Sequence, residues 1–185
     1  IQSGIARSLN TISARTLLQV GLDYSYNFLT EKFHISSMID QDCAPAPLAT
    51  GALTNGASVL DITAAYQAFG NGGKYYYPYC YYKVTDFQGN TILESTPDTT
   101  NEQALSESTA WIMNKLLQTV MTSGTGTTYK ISGVQCIGKT GTTTGSVDRY
   151  FVGGTPEYIA AVWYGFDQQK EVRQTPNPSG ILWKN

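Results

Sequence analysis

Charged residues are scarce in this chain of 185 residues. They make up 14% of the sequence, with 12 lysines and arginines against 14 aspartates and glutamates, for a formal net charge of -2. The few cations are spread along the chain and form no basic stripe that could neutralise phosphates, so we expect no nucleic-acid partner. With 41% hydrophobic residues, the composition is that of a folded globular protein and not of a disordered segment.

Histidine and cysteine are also rare. His34 is the only histidine, and Cys43, Cys80 and Cys136 show no Cys-x-x-Cys or Cys/His spacing. This shortage argues against a zinc site, and we expect neither a metal nor another cofactor. An odd number of cysteines favours free thiols, with one disulfide plus one free thiol as the alternative.

Long apolar runs are absent from the sequence. The longest, residues 158–166, is far shorter than the roughly 20 residues that a membrane-spanning helix needs. Residues 1–7 carry neither a starting methionine nor a basic signal-type region and have the pattern of a helix interior. We therefore expect one domain that begins inside a longer protein, with any membrane anchor outside this chain.

Helical periodicity dominates the first two-thirds of the sequence. Apolar residues recur there every three or four positions. Gly21 and two later glycine-rich segments interrupt the pattern, and Ser58 and Ser106 stand where N-cap residues are preferred. The predicted helices cover residues 2–20, 25–33, 58–70 and 106–122.

The last third changes to the patterns of β-strands, with short apolar runs that partly alternate with polar residues. Upstream, a tyrosine-rich segment at 74–86 and the segment 91–93 flank turn residues and predict a β-hairpin. We expect the tyrosines of 75–82 to place one face in the core, with glycan binding as the alternative. The strands predicted in the last third are 133–140, 149–155 and 158–166. Helices followed by adjacent strands indicate an α+β fold, a sandwich in which helices flank an antiparallel sheet.

The segment Lys139-Thr140-Gly141-Thr142 is the strongest candidate for chemistry. Small neighbours let the Lys139 ammonium stand at a strand end without bulk, and Gly141 lets a ligand backbone approach the strand edge. An ammonium, a hydroxyl and an exposed N–H suit a carboxylate-bearing peptide that binds along this edge as an added strand. The alternative is a surface strand with a solvated lysine and a threonine-rich turn.

A second candidate is Ser8-Leu9-Asn10. In a regular helix, residues at this spacing point about 200° apart, so Ser8 and Asn10 can share a site only where the helix ends or a loop intervenes. The alternative is a helix cap or a solvated face, which is the common role of such a pair.

In this chain order the two motifs resemble part of the signature set of penicillin-binding proteins, in which Ser-x-x-Lys precedes a Ser-x-Asn-type motif and Lys-Thr-Gly. Longer segments agree. Residues 53–73 resemble the helix before the Asn-Gly-Gly turn in class A, bifunctional members, and residues 122–126 and 148–156 also resemble family segments. Leu182-Trp183-Lys184 resembles the start of the family's last helix. Nearly the whole chain is thus similar to the C-terminal part of a penicillin-binding protein transpeptidase domain, incomplete at both ends.

The resemblance implies a serine acyl transfer that cross-links peptidoglycan. In this family an active-site serine attacks the D-Ala-D-Ala carbonyl of a stem peptide, releases D-Ala and passes the acyl group to an amine. By similarity, Ser8 would relay protons and Asn10 would hold the substrate amide. Lys139 would supply positive potential beside the nucleophile.

The resemblance also implies substrate-binding roles for the residues after Lys139. Thr140 would bind the terminal carboxylate, Gly141 would keep the strand edge open, and the Thr142 N–H would form half of the oxyanion hole. The implied partners are peptidoglycan stem peptides and β-lactam antibiotics, with a glycosyltransferase domain upstream in the full-length protein. The implied location is the extracytoplasmic face of the bacterial cell membrane.

The main departure from the family is that no Ser-x-x-Lys occurs in residues 1–185. The family places that motif upstream of Ser-x-Asn, so the resemblance implies a single partial domain that lacks the nucleophile segment and the final helix. We expect the isolated chain to be inactive and to expose apolar sheet surface. Val59 in place of proline, Tyr150 in place of tryptophan and Gly154 in place of tyrosine are interpreted as packing changes.

Two other function classes stay open at this point. A hydrolase of the same superfamily, a D-Ala-D-Ala carboxypeptidase or a β-lactamase, would place a deacylating water at the acyl-enzyme. A non-catalytic scaffold domain would keep the fold without the chemistry. The threonines after Lys139 and the segment 148–156 favour the transpeptidase.

Overall fold

A computed structural model describes residues 1–95 and 101–185. The sequence between the predicted hairpin and the helix predicted at 106–122 is rich in threonine, aspartate and asparagine and indicates a polar linker, which lies partly outside these residues. Short 3-10 turns lie at Asp40–Asp42, Thr127–Tyr129 and Thr144–Ser146. The α-helices of the described residues are α1 Gln2–Arg7, α2 Asn10–Val20, α3 Leu22–Glu31, α4 Pro45–Thr50, α5 Val59–Gln67, α6 Glu107–Ser123 and α7 Pro178–Lys184.

The strands form three small antiparallel sheets in the described part of the chain. The strands are β1 Lys74–Tyr76, β2 Lys83–Thr85, β3 Thr91–Glu94, β4 Asn101–Gln103, β5 Ile137–Thr142, β6 Arg149–Gly154 and β7 Ile159–Tyr164. The largest sheet has the order β5-β6-β7, so the prediction of adjacent sequential strands in the last third is confirmed. The other two sheets pair β1 with β4 and β2 with β3.

The prediction of one helix over residues 2–20 is wrong. The chain forms α1 and α2 with a break at Ser8, which takes the left-handed conformation at φ 55° and ψ 50°. The N–H groups of Ser8 and Leu9 donate to Ile5 O and Gly4 O, and these bonds close the end of α1. Leu9, expected on the buried side of one long helix, is 41% exposed as a result.

Both predicted N-caps are confirmed. The Ser58 hydroxyl accepts from the Asp61 N–H at 3.0 Å, and the Ser106 hydroxyl accepts from the Thr109 N–H at 3.2 Å. Each cap satisfies one of the free N–H groups at the start of its helix. α3 begins three residues earlier than predicted because Gly21 serves as its N-cap.

The predicted hairpin is confirmed only in its second part. β2 and β3 form it, whereas β1 pairs with the more distant β4. Tyr75 is buried at 2% exposure, but Tyr77 and Tyr82 are 43% and 72% exposed. Tyrosines beyond β1 therefore do not continue a strand with one face in the core. Pro78, which cannot donate to a ladder, lies two positions after the end of β1.

Helices cover both faces of the three-stranded sheet. Phe151 on β6 packs against Tyr129 and Trp183, in a core cluster that also contains Met121 of α6. The next residue back along β6, Tyr150, points the other way, and its hydroxyl donates to Ala57 O at 2.7 Å beside the start of α5. A second core lies around the end of α3, α5 and β1. This arrangement is the α+β sandwich expected from the sequence.

The C-terminal residues 178–184 form a helix on the sheet. The ring of Trp183 lies 4.9 Å from that of Phe151, which is fully buried, so the expected exposure of apolar sheet surface does not occur there. Apolar exposure is large instead on the β2–β3 hairpin, where Phe87 is 94% exposed. No helix in residues 1–95 and 101–185 combines the length and apolar character needed to cross a bilayer.

Candidate active site

Ser8 and Lys139 meet across 131 positions of sequence. The Lys139 ammonium donates to the Ser8 hydroxyl oxygen, with 2.7 Å between Nζ and Oγ. It also donates to Thr140 O at 3.0 Å. The two motifs singled out in the sequence therefore lie at one place in the fold.

The break between α1 and α2 presents Ser8. Left-handed backbone costs a non-glycine residue about 1 kcal/mol, and such strain is concentrated at functional sites. Because the helix ends here, Ser8 and Asn10 are released from the opposed orientation that a regular helix would impose. Asn10 starts α2 and is exposed, and no hydrogen bond within the described residues joins it to Lys139 or Thr140.

Lys139 lies in the middle of β5, opposite Val152 of β6. Burial lowers the pKa of its ammonium below the ordinary value of 10.5, because a buried site disfavours the charged form. No ion pair in the described ranges includes Lys139. The site therefore holds a positive charge that has no carboxylate partner and could receive an anionic group.

β5 is an edge strand of the sheet, and its small residues allow close packing. A Cβ on Gly138 would lie 2.6 Å from Met121 Sδ, and one on Gly141 would lie 2.9 Å from Tyr150 Cβ. Glycine is therefore needed at both positions by the chain itself. Thr142 ends the strand and is exposed.

The loop after Thr142 is held by Asp148. The Asp148 N–H donates to the Thr143 hydroxyl at 2.9 Å, and this hydroxyl donates to Asp148 Oδ2 at 3.2 Å. The other carboxylate oxygen accepts from the Trp163 indole N–H at 2.9 Å. These bonds fix the loop next to the end of β5.

Sequence reasoning did not include Thr125 among the site residues. Its hydroxyl lies 2.8 Å from that of Thr140, and its N–H donates to Ala6 O at 3.0 Å. The sequence interpretation treated Ser123-Gly124-Thr125-Gly126 only as a helix stop and a family segment. A hydroxyl residue between two glycines was the signal that could have indicated a fixed polar turn.

No metal centre is indicated among the described residues. No group of three or more histidine, cysteine, aspartate or glutamate side chains there is placed to hold an ion. Cys43, Cys80 and Cys136 are all free thiols, and only Cys136 is buried.

Known proteins resemble this chain over most of its length. The family model of the penicillin binding protein transpeptidase domain matches residues 1–170. Penicillin-binding protein 4 of Bacillus subtilis is 33% identical over 186 residues, covering 100% of this chain and 29% of that protein. Penicillin-binding protein 1A of Clostridium botulinum is 35% identical over 173 residues, covering 93% of this chain and 21% of that protein. The chain thus spans less than a third of the length of these relatives.

Solved structures share the fold. The penicillin-binding protein PonA1 from Mycobacterium tuberculosis superposes with a TM-score of 0.82 at 22% identity, covering 100% of this chain and 54% of that one. The D,D-transpeptidase domain of a peptidoglycan glycosyltransferase from Eggerthella lenta gives 0.75 at 24% identity, covering 99% and 52%. At these identities the likeness is one of fold.

An antiparallel sheet with helices on both faces and a serine–lysine contact at its edge strand define a helix–sheet sandwich with a polar site on that strand. Since the family model covers most of the residues, the chain belongs to the penicillin binding protein transpeptidase domain family. The family expected from the sequence is confirmed.

Proposed function

We propose that this chain supplies the Ser-x-Asn and Lys-Thr-Gly side of the active site in a D-Ala-D-Ala transpeptidase that cross-links peptidoglycan. The observation that carries the proposal is the 2.7 Å contact between Ser8 Oγ and Lys139 Nζ, which joins two motifs from distant parts of the chain. Membership of the family supports the same conclusion.

The reaction has two steps, with the nucleophile on a Ser-x-x-Lys segment outside residues 1–185. The serine oxygen attacks the carbonyl of the penultimate D-Ala, an ester forms, and the terminal D-Ala leaves as a free amino acid. An acceptor amine then attacks the ester, which yields an amide and restores the serine hydroxyl. Ser8 would carry the proton between nucleophile and leaving amine, and Asn10 would hold the substrate amide.

In this proposal the residues of β5 bind the substrate. The unpaired Lys139 ammonium raises the positive potential, Thr140 holds the terminal carboxylate, and Gly141 leaves the strand edge open to the peptide backbone. The Thr142 N–H would stabilise the oxyanion. An anion bound here would also be the charge partner that Lys139 lacks among the described residues.

Family membership also supports a proposal for the wider setting of the full-length protein. We infer that its partners are peptidoglycan stem peptides and β-lactam antibiotics, and that it carries a glycosyltransferase domain upstream. The Eggerthella lenta structure is that of a D,D-transpeptidase domain within a peptidoglycan glycosyltransferase, which supports the presence of both domains in one protein. We place the domain on the extracytoplasmic face of the bacterial membrane, held by an anchor outside residues 1–185.

A labelling experiment tests the proposal on the full-length protein. Fluorescent penicillin should acylate the wild type, and Lys139→Ala should slow acylation by about a hundredfold, as expected for the loss of one electrostatic contact to the reacting group. The melting temperature should stay nearly unchanged, because the lost hydrogen bonds are offset by relief from burying a charge. Lys130→Ala, at an exposed lysine, is the matched control.

Product analysis separates the competing functions. With a D-Ala-D-Ala peptide and an amine acceptor, a transpeptidase releases D-Ala and forms the new amide. Release of D-Ala with only the hydrolysed peptide would identify a carboxypeptidase. A correctly folded full-length protein that does not label would support the scaffold function.

A further inference from the structure

We propose that Thr125 is a specificity-determining residue, which offers a second hydroxyl beside that of Thr140 to the terminal carboxylate of the substrate. The inference rests on the proposed function, because that function brings the carboxylate to Thr140. It adds a residue that lies outside both sequence motifs.

The turn that carries Thr125 is held in place by backbone packing. The Thr125 N–H donates to Ala6 O at 3.0 Å, which ties the turn to α1. Gly124 lies so close to Ala6 O that a Cβ has no room, and a Cβ on Gly126 would lie 2.6 Å from Met121 Sδ. A turn confined on two sides keeps the Thr125 hydroxyl at one position against β5.

The hydroxyls of Thr125 and Thr140 form a hydrogen-bonded pair in which one O–H group remains free to donate. Their oxygens are 2.8 Å apart, and neither makes another hydrogen bond within the part of the chain that is described. In such a pair one hydroxyl donates and the other keeps its hydrogen free, since each carries only one. Thr125 is exposed, so an anion can reach both oxygens. Both hydrogens can then turn toward that anion.

Lys139 contributes charge next to this pair. Its ammonium uses two N–H groups, on Ser8 Oγ and Thr140 O, and so has a third to offer. Two hydroxyls and an uncompensated ammonium match the chemistry of a carboxylate, which accepts several charge-assisted hydrogen bonds.

A purely structural role for Thr125 would be to fasten the turn to β5. Such a role would affect every ligand to the same degree. A direct contact with the carboxylate would affect only ligands that carry one. The charge of the ligand therefore distinguishes the two roles.

The test compares acylation of the full-length protein by a penicillin and by its methyl ester. Thr125→Val removes the hydroxyl at nearly constant volume, and Thr125→Ser keeps it. We expect Thr125→Val to be acylated about tenfold more slowly by the free acid, the usual effect of losing a hydrogen bond to a charged group, with the rate for the ester unchanged. Thr125→Ser should keep the wild-type preference for the acid. Thr122→Val is the control, because that exposed hydroxyl bonds to Gln118 O within α6.

Equal losses for acid and ester in Thr125→Val, or no loss for either, would overturn the inference. A serine variant as slow as the valine variant would do so too. If the wild type itself is not acylated, the proposed function fails, and equilibrium binding then decides the role of Thr125. A peptide ending in D-Ala-D-Ala should bind more weakly to Thr125→Val than to the wild type, while its C-terminal amide should bind equally to the two proteins. Equal binding of the free-acid peptide to the two proteins would contradict a contact between Thr125 and the carboxylate.

Discussion

Gly124→Ala should separate the helix that carries Ser8 from the strand that carries Lys139. The added Cβ would meet the carbonyl of Ala6 and would lie 2.9 Å from Val120 Cα. These are backbone atoms of two packed helices, so they cannot move aside as a flexible side chain would. We expect α1 to shift away from α6.

The expected loss of stability combines three terms. Forcing a methyl group into a packed site costs about 1–3 kcal/mol, and weakening the hydrogen bond from Thr125 N–H to Ala6 O adds about 1 kcal/mol. Alanine also restricts the unfolded chain, which returns about 0.4–1 kcal/mol. The balance is about 2 kcal/mol, equivalent to a fall in Tm of about 4–8 °C for a cooperative unit of about 150–250 residues and to a smaller fall for the larger domain of the full-length protein.

Calorimetry on the full-length protein measures the fall in Tm, and penicillin labelling of the same samples measures the rate of acylation at the active site. Acylation by penicillin should slow, because the contact between Ser8 and Lys139 lengthens when α1 moves. Gly70→Ala is the matched control, since its Cβ would meet nothing nearer than Gln67 O at 3.7 Å. A Gly124→Ala variant that melts with the wild type, or a control that melts equally low, would refute the reasoning.

Two further predictions concern charge and capping. Burial lowers the pKa of Lys139 below 10.5, so the unfolded chain binds that proton more tightly than the folded chain does. The stability of the wild type relative to Lys139→Met should therefore rise as pH increases from the lowered pKa toward 10.5. A stability difference that stays flat between about pH 7 and about pH 10 in thermal melts would show that this pKa is not lowered. Ser58→Ala removes the cap on the Asp61 N–H and should cost about 1 kcal/mol in urea unfolding, whereas Ser58→Gly should cost only a few tenths; equal losses in the two variants would contradict the capping role.

Much of the fold was predictable because it depends on local patterns. The N-caps at Ser58 and Ser106 follow from side chains that reach an N–H three residues on. The order of β5, β6 and β7 follows from short apolar runs joined by turns. The family and its motif residues were also readable from the sequence, since they lie in contiguous segments.

The break at Ser8 and the β1–β4 pairing were not predictable in the same way. The apolar pattern of residues 2–20 fits one helix, and the contact of α1 with α6 after the break at Ser8 is visible only in the tertiary structure. β1 pairs with a strand 25 or more positions away instead of its nearest candidate, as the pairing of Tyr76 with Asn101 shows. Strand pairing at such separation depends on the whole chain.

By itself, the sequence determined the strands of the last third, the caps at Ser58 and Ser106 and the presence of the Ser-x-Asn and Lys-Thr-Gly motifs, because neighbouring residues are enough to specify these. Tertiary structure alone decided that Ser8 and Lys139 lie 2.7 Å apart and that Thr125 meets Thr140. The physical reason is that such contacts join elements far apart in the chain, and their distances are set by how closely glycines such as Gly124 let those elements approach.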